Sequence, residues 1–154
     1  MVRMPGPSVD KPNTYPFGTP YAQMLEELKD KDKKLYTANG ILEMLSRNSN
    51  IKSAPQRWQD KHDTFKVIFT CEERCFDALC NNLYENTEGT HLVHIINVDI
   101  KDNHQDAQIG GQCILKLAQG IQASENIDED IPETIAKVSQ EFPSLPMLYT
   151  VQFQ

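Results

Sequence analysis

A chain of 154 residues is long enough for one domain with a real core, burying about 70% of its unfolded surface, and 39% of its residues are apolar. Its 22 acidic and 15 basic residues give a formal charge of −7, which excludes a general nucleic-acid binder, since that needs a positive face to release counterions. The longest apolar run, Leu92 to Val98, is interrupted by His94 and Asn97 and cannot span a membrane, and the start MVRMPGPSVDKPN lacks the apolar segment of a secretory signal. Four cysteines without disulfide-framework spacing suit a reducing compartment inside the cell.

In chain order, Pro5, Pro7, Pro12, Pro16 and Pro20 make the first twenty residues read as extended loop. Tyr21, Met24, Leu25 and Leu28 then repeat at i, i+3, i+4, i+7 along one face of a helix. The basic run KDKDKK at 29–34 alternates with aspartate and reads as the solvated side of that helix. ANG at 38–40 reads as a turn before a second helix carrying Ile41, Leu42, Met44 and Leu45, and residues 49–64 are polar and irregular, with Trp58 pinning them to the core.

The second half alternates. FKVIFTC (65–71) predicts a strand, residues 72–86 a helix with Phe76, Leu79, Cys80 and Leu83 inward, and LVHIINV (92–98) a second strand. That strand is almost wholly apolar, as in a parallel sheet covered on both faces. A helix over 103–122 follows, with Gly110 and Gly111 placed for close packing, then the acidic loop SENIDED, a last helix with Pro132 in its first turn, and a closing strand MLYTVQF. This order predicts a three-layer α/β fold with a parallel sheet, whose chemistry gathers at the carboxyl ends of the strands. Three strands make a thin sheet, and such folds normally open on a strand, so something is expected in front of residue 1.

Cys71 and Asp99 fall at strand ends. A cysteine phosphatase needs arginine six residues after its nucleophile, but Asp77, Asn81, Asn86 and Gln119 stand six after the four cysteines. Cys71, Cys75 and Cys80 lack the paired spacing of a zinc site and read as structural thiols, and His62, His91, His94 and His104 have no ligand spacing. No metal or other cofactor is expected. Asp102 carries two readings: it could cap the helix that begins beside it, with Gln105 reaching back, or act with Asp99 as a proton donor.

The blocks PGPSVDKPNTYPFGTPY, LYTANGILEMLSRN, VIFTCEERCFDALC and HIINVDIKDNHQDA resemble, in order and over essentially the whole chain, the Ssu72-type phosphatases of the RNA polymerase II carboxy-terminal domain (CTD). The resemblance implies a fold like that of low-molecular-weight tyrosine phosphatases with extra helices. It implies cysteine-dependent removal of phosphate from the fifth-position serine of the heptad repeat, with the next proline in cis. It implies a nuclear protein of messenger RNA 3′-end processing and transcription termination, whose partners are the phosphorylated CTD and the scaffold of the cleavage and polyadenylation complex. By position, Asp102 resembles the general acid, with Asp99 beside it. Arg3, Met4, Pro5, Tyr36 and Met44 resemble the residues that shape the substrate groove, although Tyr36 and Met44 alone would read as helix packing. Family members begin with a strand, a Cys-x5-Arg loop, a helix and a second strand, so residues 1–154 read as a single phosphatase-like domain truncated at its N-terminus and inactive as written. The alternatives are a non-catalytic paralogue that binds the 3′-end processing complex or the phosphorylated CTD, and a pseudogene product that does not fold.

Overall fold

The loop expected over the first twenty residues is confined to 16–20, with Pro16 and Pro20, while Pro5, Pro7 and Pro12 lie in strands. In the computed structural model, which describes residues 1–60, 63–86 and 89–154, β1 (Val2–Ser8) and β2 (Lys11–Tyr15) form an antiparallel hairpin with Met4 opposite Asn13. A two-stranded hairpin has two free edges, so a residue without an N–H can sit there at no cost to the ladder. The register slips between Met4 and Ser8. A side chain at Gly6, inside the slip, would overlap the Lys11 carbonyl. Lys61, His62, Thr87 and Glu88, and with them the reading of His62, lie outside the described residues.

The chain divides into two compact units, Met1–His62 and Asp63–Gln154. In the first, the hairpin precedes α1 (Tyr21–Ala38) and α2 (Ile41–Ser49). The KDKDKK run is not one continuous helix face. Helical geometry breaks at Asp32 (φ −164°, ψ 85°), and its carboxylate accepts from the Leu35 N–H at 2.9 Å, capping the second part of α1. The turn expected at 38–40 is present, with Gly40 in the left-handed region at φ 78°. Tyr15, Tyr21, Met24, Leu28, Tyr36, Ile41, Leu42 and Leu45 form this unit's core. Trp58 is half-buried in a short 3-10 turn, Trp58–Asp60.

The second unit contains β3 (Val67–Thr70), α3 (Glu73–Glu85), β4 (Leu92–Val98), α4 (His104–Gln122), α5 (Ile127–Glu141) and β5 (Met147–Phe153). The sheet order is β3-β4-β5, so β4 is central and β3 lies at an edge. β3 and β4 are parallel, as expected, but β5 is antiparallel to β4. One crossover helix returns a chain parallel to where it started. Here two successive helices, α4 and α5, joined by a short connection, bring it back reversed.

Residues 93–98 of β4 are all buried. Ile96 and Val98 pack with Cys113, Leu117 and Ile121 of α4 and Ile131 and Val138 of α5, while α3 packs against the strands through Leu79 and Leu83. The acidic loop expected at 124–130 is shorter, because Ile127 to Asp130 already form the first turn of α5, where the helix dipole favours acidic side chains. Pro132 consequently stands inside α5 rather than in its first turn. On the same face, His94, 1% exposed, braces α5 to the sheet: Nε2 lies 2.9 Å from Asp128 Oδ1 and Nδ1 2.8 Å from Tyr149 Oη. A neutral ring with its proton on Nε2 satisfies both contacts.

Candidate active site

At the carboxyl end of the sheet, the loop after β4 is held from both sides. The Ile100 N–H donates to the Cys71 carbonyl just past β3 (3.0 Å), and the Asp99 N–H donates to the Pro146 carbonyl just before β5 (2.9 Å). The Ile100 side chain lies over Gly110 of α4, where any side chain would collide with it, whereas Gly111 faces open space. The close packing expected of both glycines therefore holds for Gly110 alone. Asp99 and Asp102 are exposed in this anchored loop.

The cap of α4 is Asn103, not Asp102. Asn103 Oδ1 accepts from the Asp106 N–H at 2.9 Å, and its Nδ2 donates to Asp106 Oδ2 at 2.6 Å. A capping carboxylate is held in its charged form, which conflicts with proton donation, and that duty is discharged next door. Behind the loop, the Thr70 hydroxyl donates to Asn97 Oδ1 at 2.7 Å. Asn97 is 1% exposed, and its Nδ2 has no partner among the described residues.

The cysteines divide by position. Cys113 is buried, Cys80 half-buried, and Cys71 and Cys75 are exposed, so the core reading fails for the last two. Partial burial, the neighbouring Cys75 and the Glu72 carboxylate push the Cys71 thiol up, away from the thiolate a nucleophile needs. Among the described residues, no three of His, Cys, Asp and Glu converge as metal ligands.

The first unit holds all five residues expected to shape a groove. Arg3 and Pro5 are exposed on β1, Met4 and Met44 are half-buried against the unit's core, and Tyr36 of α1 is 2% exposed. Asn13, which sequence reasoning passed over, links two of them: its Nδ2 donates to the Pro5 carbonyl at 3.0 Å and to the Tyr36 hydroxyl at 2.9 Å. The available signal was period-two burial, with Asn13 and Tyr15 turned inward along β2, which the flanking prolines obscured. The Tyr15 hydroxyl is buried with no partner among the described residues, and burial, Glu27 and Tyr36 raise its pKa.

A parallel strand pair with helices on its faces, and an anchored acidic loop at its carboxyl end, defines a mixed α/β protein. The profile of the family described as "Ssu72-like protein" matches residues 1–154. The RNA polymerase II C-terminal domain phosphatase ssu72 of Schizosaccharomyces pombe is 49% identical over 154 residues, covering 99% of this chain and 78% of its own length. The corresponding phosphatase from Homo sapiens is 45% identical over 153 residues, with coverage of 99% and 78%. Drosophila melanogaster Ssu72, solved with symplekin and a cis peptidomimetic CTD peptide phosphorylated on the fifth serine, superposes with a TM-score of 0.88 at 38% identity, over 99% of this chain and 80% of that one. The chain belongs to the Ssu72 family.

Proposed function

We propose that residues 1–154 are the larger part of a single phosphatase domain that removes phosphate from the fifth-position serine of the polymerase heptad, in the nucleus, during messenger RNA 3′-end processing and termination. The observation that carries this reading is Asp102. It is exposed in a loop anchored on both sides, and Asn103 relieves it of capping. In this reading a Cys-x5-Arg loop, absent from these residues, holds phosphate with its amides and arginine while the cysteine attacks phosphorus. Asp102 protonates the departing serine oxygen, with Asp99 beside it. Water then hydrolyses the phosphocysteine. Arg3, Met4, Pro5, Tyr36 and Met44 receive the peptide and its cis proline. No step calls on a metal. The D. melanogaster relative binds symplekin, and the partner proposed for this chain is the corresponding scaffold of the 3′-end machinery.

A second reading, a binder without catalysis, is favoured by one observation: no cysteine is followed by arginine six residues on. The two separate in one experiment. Chain 1–154 is assayed on a phosphorylated heptad peptide, alone and joined to the upstream Cys-x5-Arg segment of the S. pombe relative. The expected result is no turnover by the chain alone, turnover by the joined protein, and a fall in kcat of about 10²–10⁴-fold in Asp102→Asn. Binding without hydrolysis by the joined protein would give the second reading the field. Turnover by the chain alone, lost in Asp102→Asn, would overturn the proposed source of the nucleophile.

A further inference from the structure

We infer that Asn13 is a positioning residue for proline recognition, its one amide setting the Pro5 carbonyl and the Tyr36 hydroxyl at a fixed distance from each other. The inference rests on the placing of Pro5 and Tyr36 in the substrate groove. Its physical support lies within the first unit. Asn13 is buried at 9% exposure, and both hydrogens of its Nδ2 are used, on Pro5 O and Tyr36 Oη. Its Oδ1 accepts from Lys31 Nζ at 3.0 Å. An ammonium has no acceptor, so the amide cannot be reversed: that would set nitrogen against nitrogen. The orientation that serves Pro5 and Tyr36 is therefore enforced by a third element.

Pro5 also falls in the stretch between Met4 and Ser8 where the β1–β2 register slips. There the regular pairing of the strands is interrupted, and the Asn13 side chain ties the Pro5 carbonyl. Tyr36 Oη accepts this bond, so its own proton remains available to donate. Asn13 thus links the β1 segment to α1, through two residues that the proposed function assigns to the groove. A small aryl phosphate, which has no proline, makes no use of that link.

The test uses the joined protein described above, with p-nitrophenyl phosphate and a phosphoserine-proline heptad peptide as substrates. Asn13→Asp keeps the shape and the Lys31 contact but loses both donors. The expected result is a roughly tenfold fall in the ratio of peptide to aryl phosphate kcat/KM, the size of one or two lost hydrogen bonds, expressed mainly in the peptide KM. Tyr36→Phe lowers the same ratio, and the double variant lowers it no further than the worse single one, because the two residues act as a unit. Tyr36→Phe also carries the test should Asn13→Asp not fold. Loss on both substrates with the ratio unchanged makes Asn13 a purely structural residue and overturns the inference, as does an unchanged ratio with no loss. A parent protein that hydrolyses neither substrate overturns the phosphatase reading and takes this inference with it.

Discussion

Asp102 and Asn103 are adjacent, short and polar, and either could open α4. DNHQ places Gln105 three residues after Asp102, and NHQD places Asp106 three residues after Asn103, so both frames have the outline of a capping box. A one-residue shift in where the helix starts decides between them, and sequence patterns resolve helix ends no better than that. The structure chooses Asn103. Asn103→Ala is therefore expected to cost about 1 kcal/mol of stability, and Asp102→Ala less than about 0.5 kcal/mol. Urea unfolding of the two variants checks this. A large loss on Asp102→Ala would return the cap to Asp102 and weaken its case as an acid.

At the scale of elements, the apolar periodicities of α1, α2, α3, α4 and β4 were legible because burial on one or both faces writes itself into the spacing. Two features were not legible. The hairpin is hidden because proline normally argues against strands, and only a ribbon with two free edges escapes that rule. The direction of β5 is not written in its own residues, since MLYTVQF suits either pairing; it is set by the two helices before it, both of which the spacing shows. Had Ile127 to Asp130 been a loop, as their charges suggest, α5 would have begun near Pro132.

That first turn of α5 has a consequence for acid stability. The hydrogen bond from His94, and secondarily the Lys66 ammonium, hold the Asp128 carboxyl below the usual carboxylate range. A depressed carboxylate contributes stability that is fully present above its unfolded pKa, about 4, and is lost as pH falls through its lower folded value. Melting temperatures between pH 6 and pH 3 should therefore fall less steeply in Asp128→Asn than in the parent. Parallel curves would mean that the His94 brace contributes nothing in acid.

Across the whole molecule, four long blocks carried the family. The polar stretch 49–64 coincides with the division after His62, although composition does not say that each side builds its own apolar cluster. Five groove residues fall in the first unit and two aspartates in the second. That assignment came from resemblance, because an exposed arginine on a ribbon or a methionine on a helix has no signature of its own.

Among the described residues, the sheet of the second unit ends at β3, which is hydrogen-bonded on one side only, to β4. A strand has a direction. Any strand that joins β3 in parallel runs toward the end of the sheet that carries Cys71 and Asp99, and a loop carried on that end is delivered to the side of the acidic loop. Under the proposed function, where the nucleophile loop is carried on such a strand, covalent continuity is a convenience rather than a requirement. The proposal then predicts that mixing chain 1–154 with the S. pombe upstream segment as a free polypeptide gives turnover of a phosphorylated heptad peptide, saturable in the added piece; no turnover at any ratio would mean that the free edge of β3 does not receive that segment.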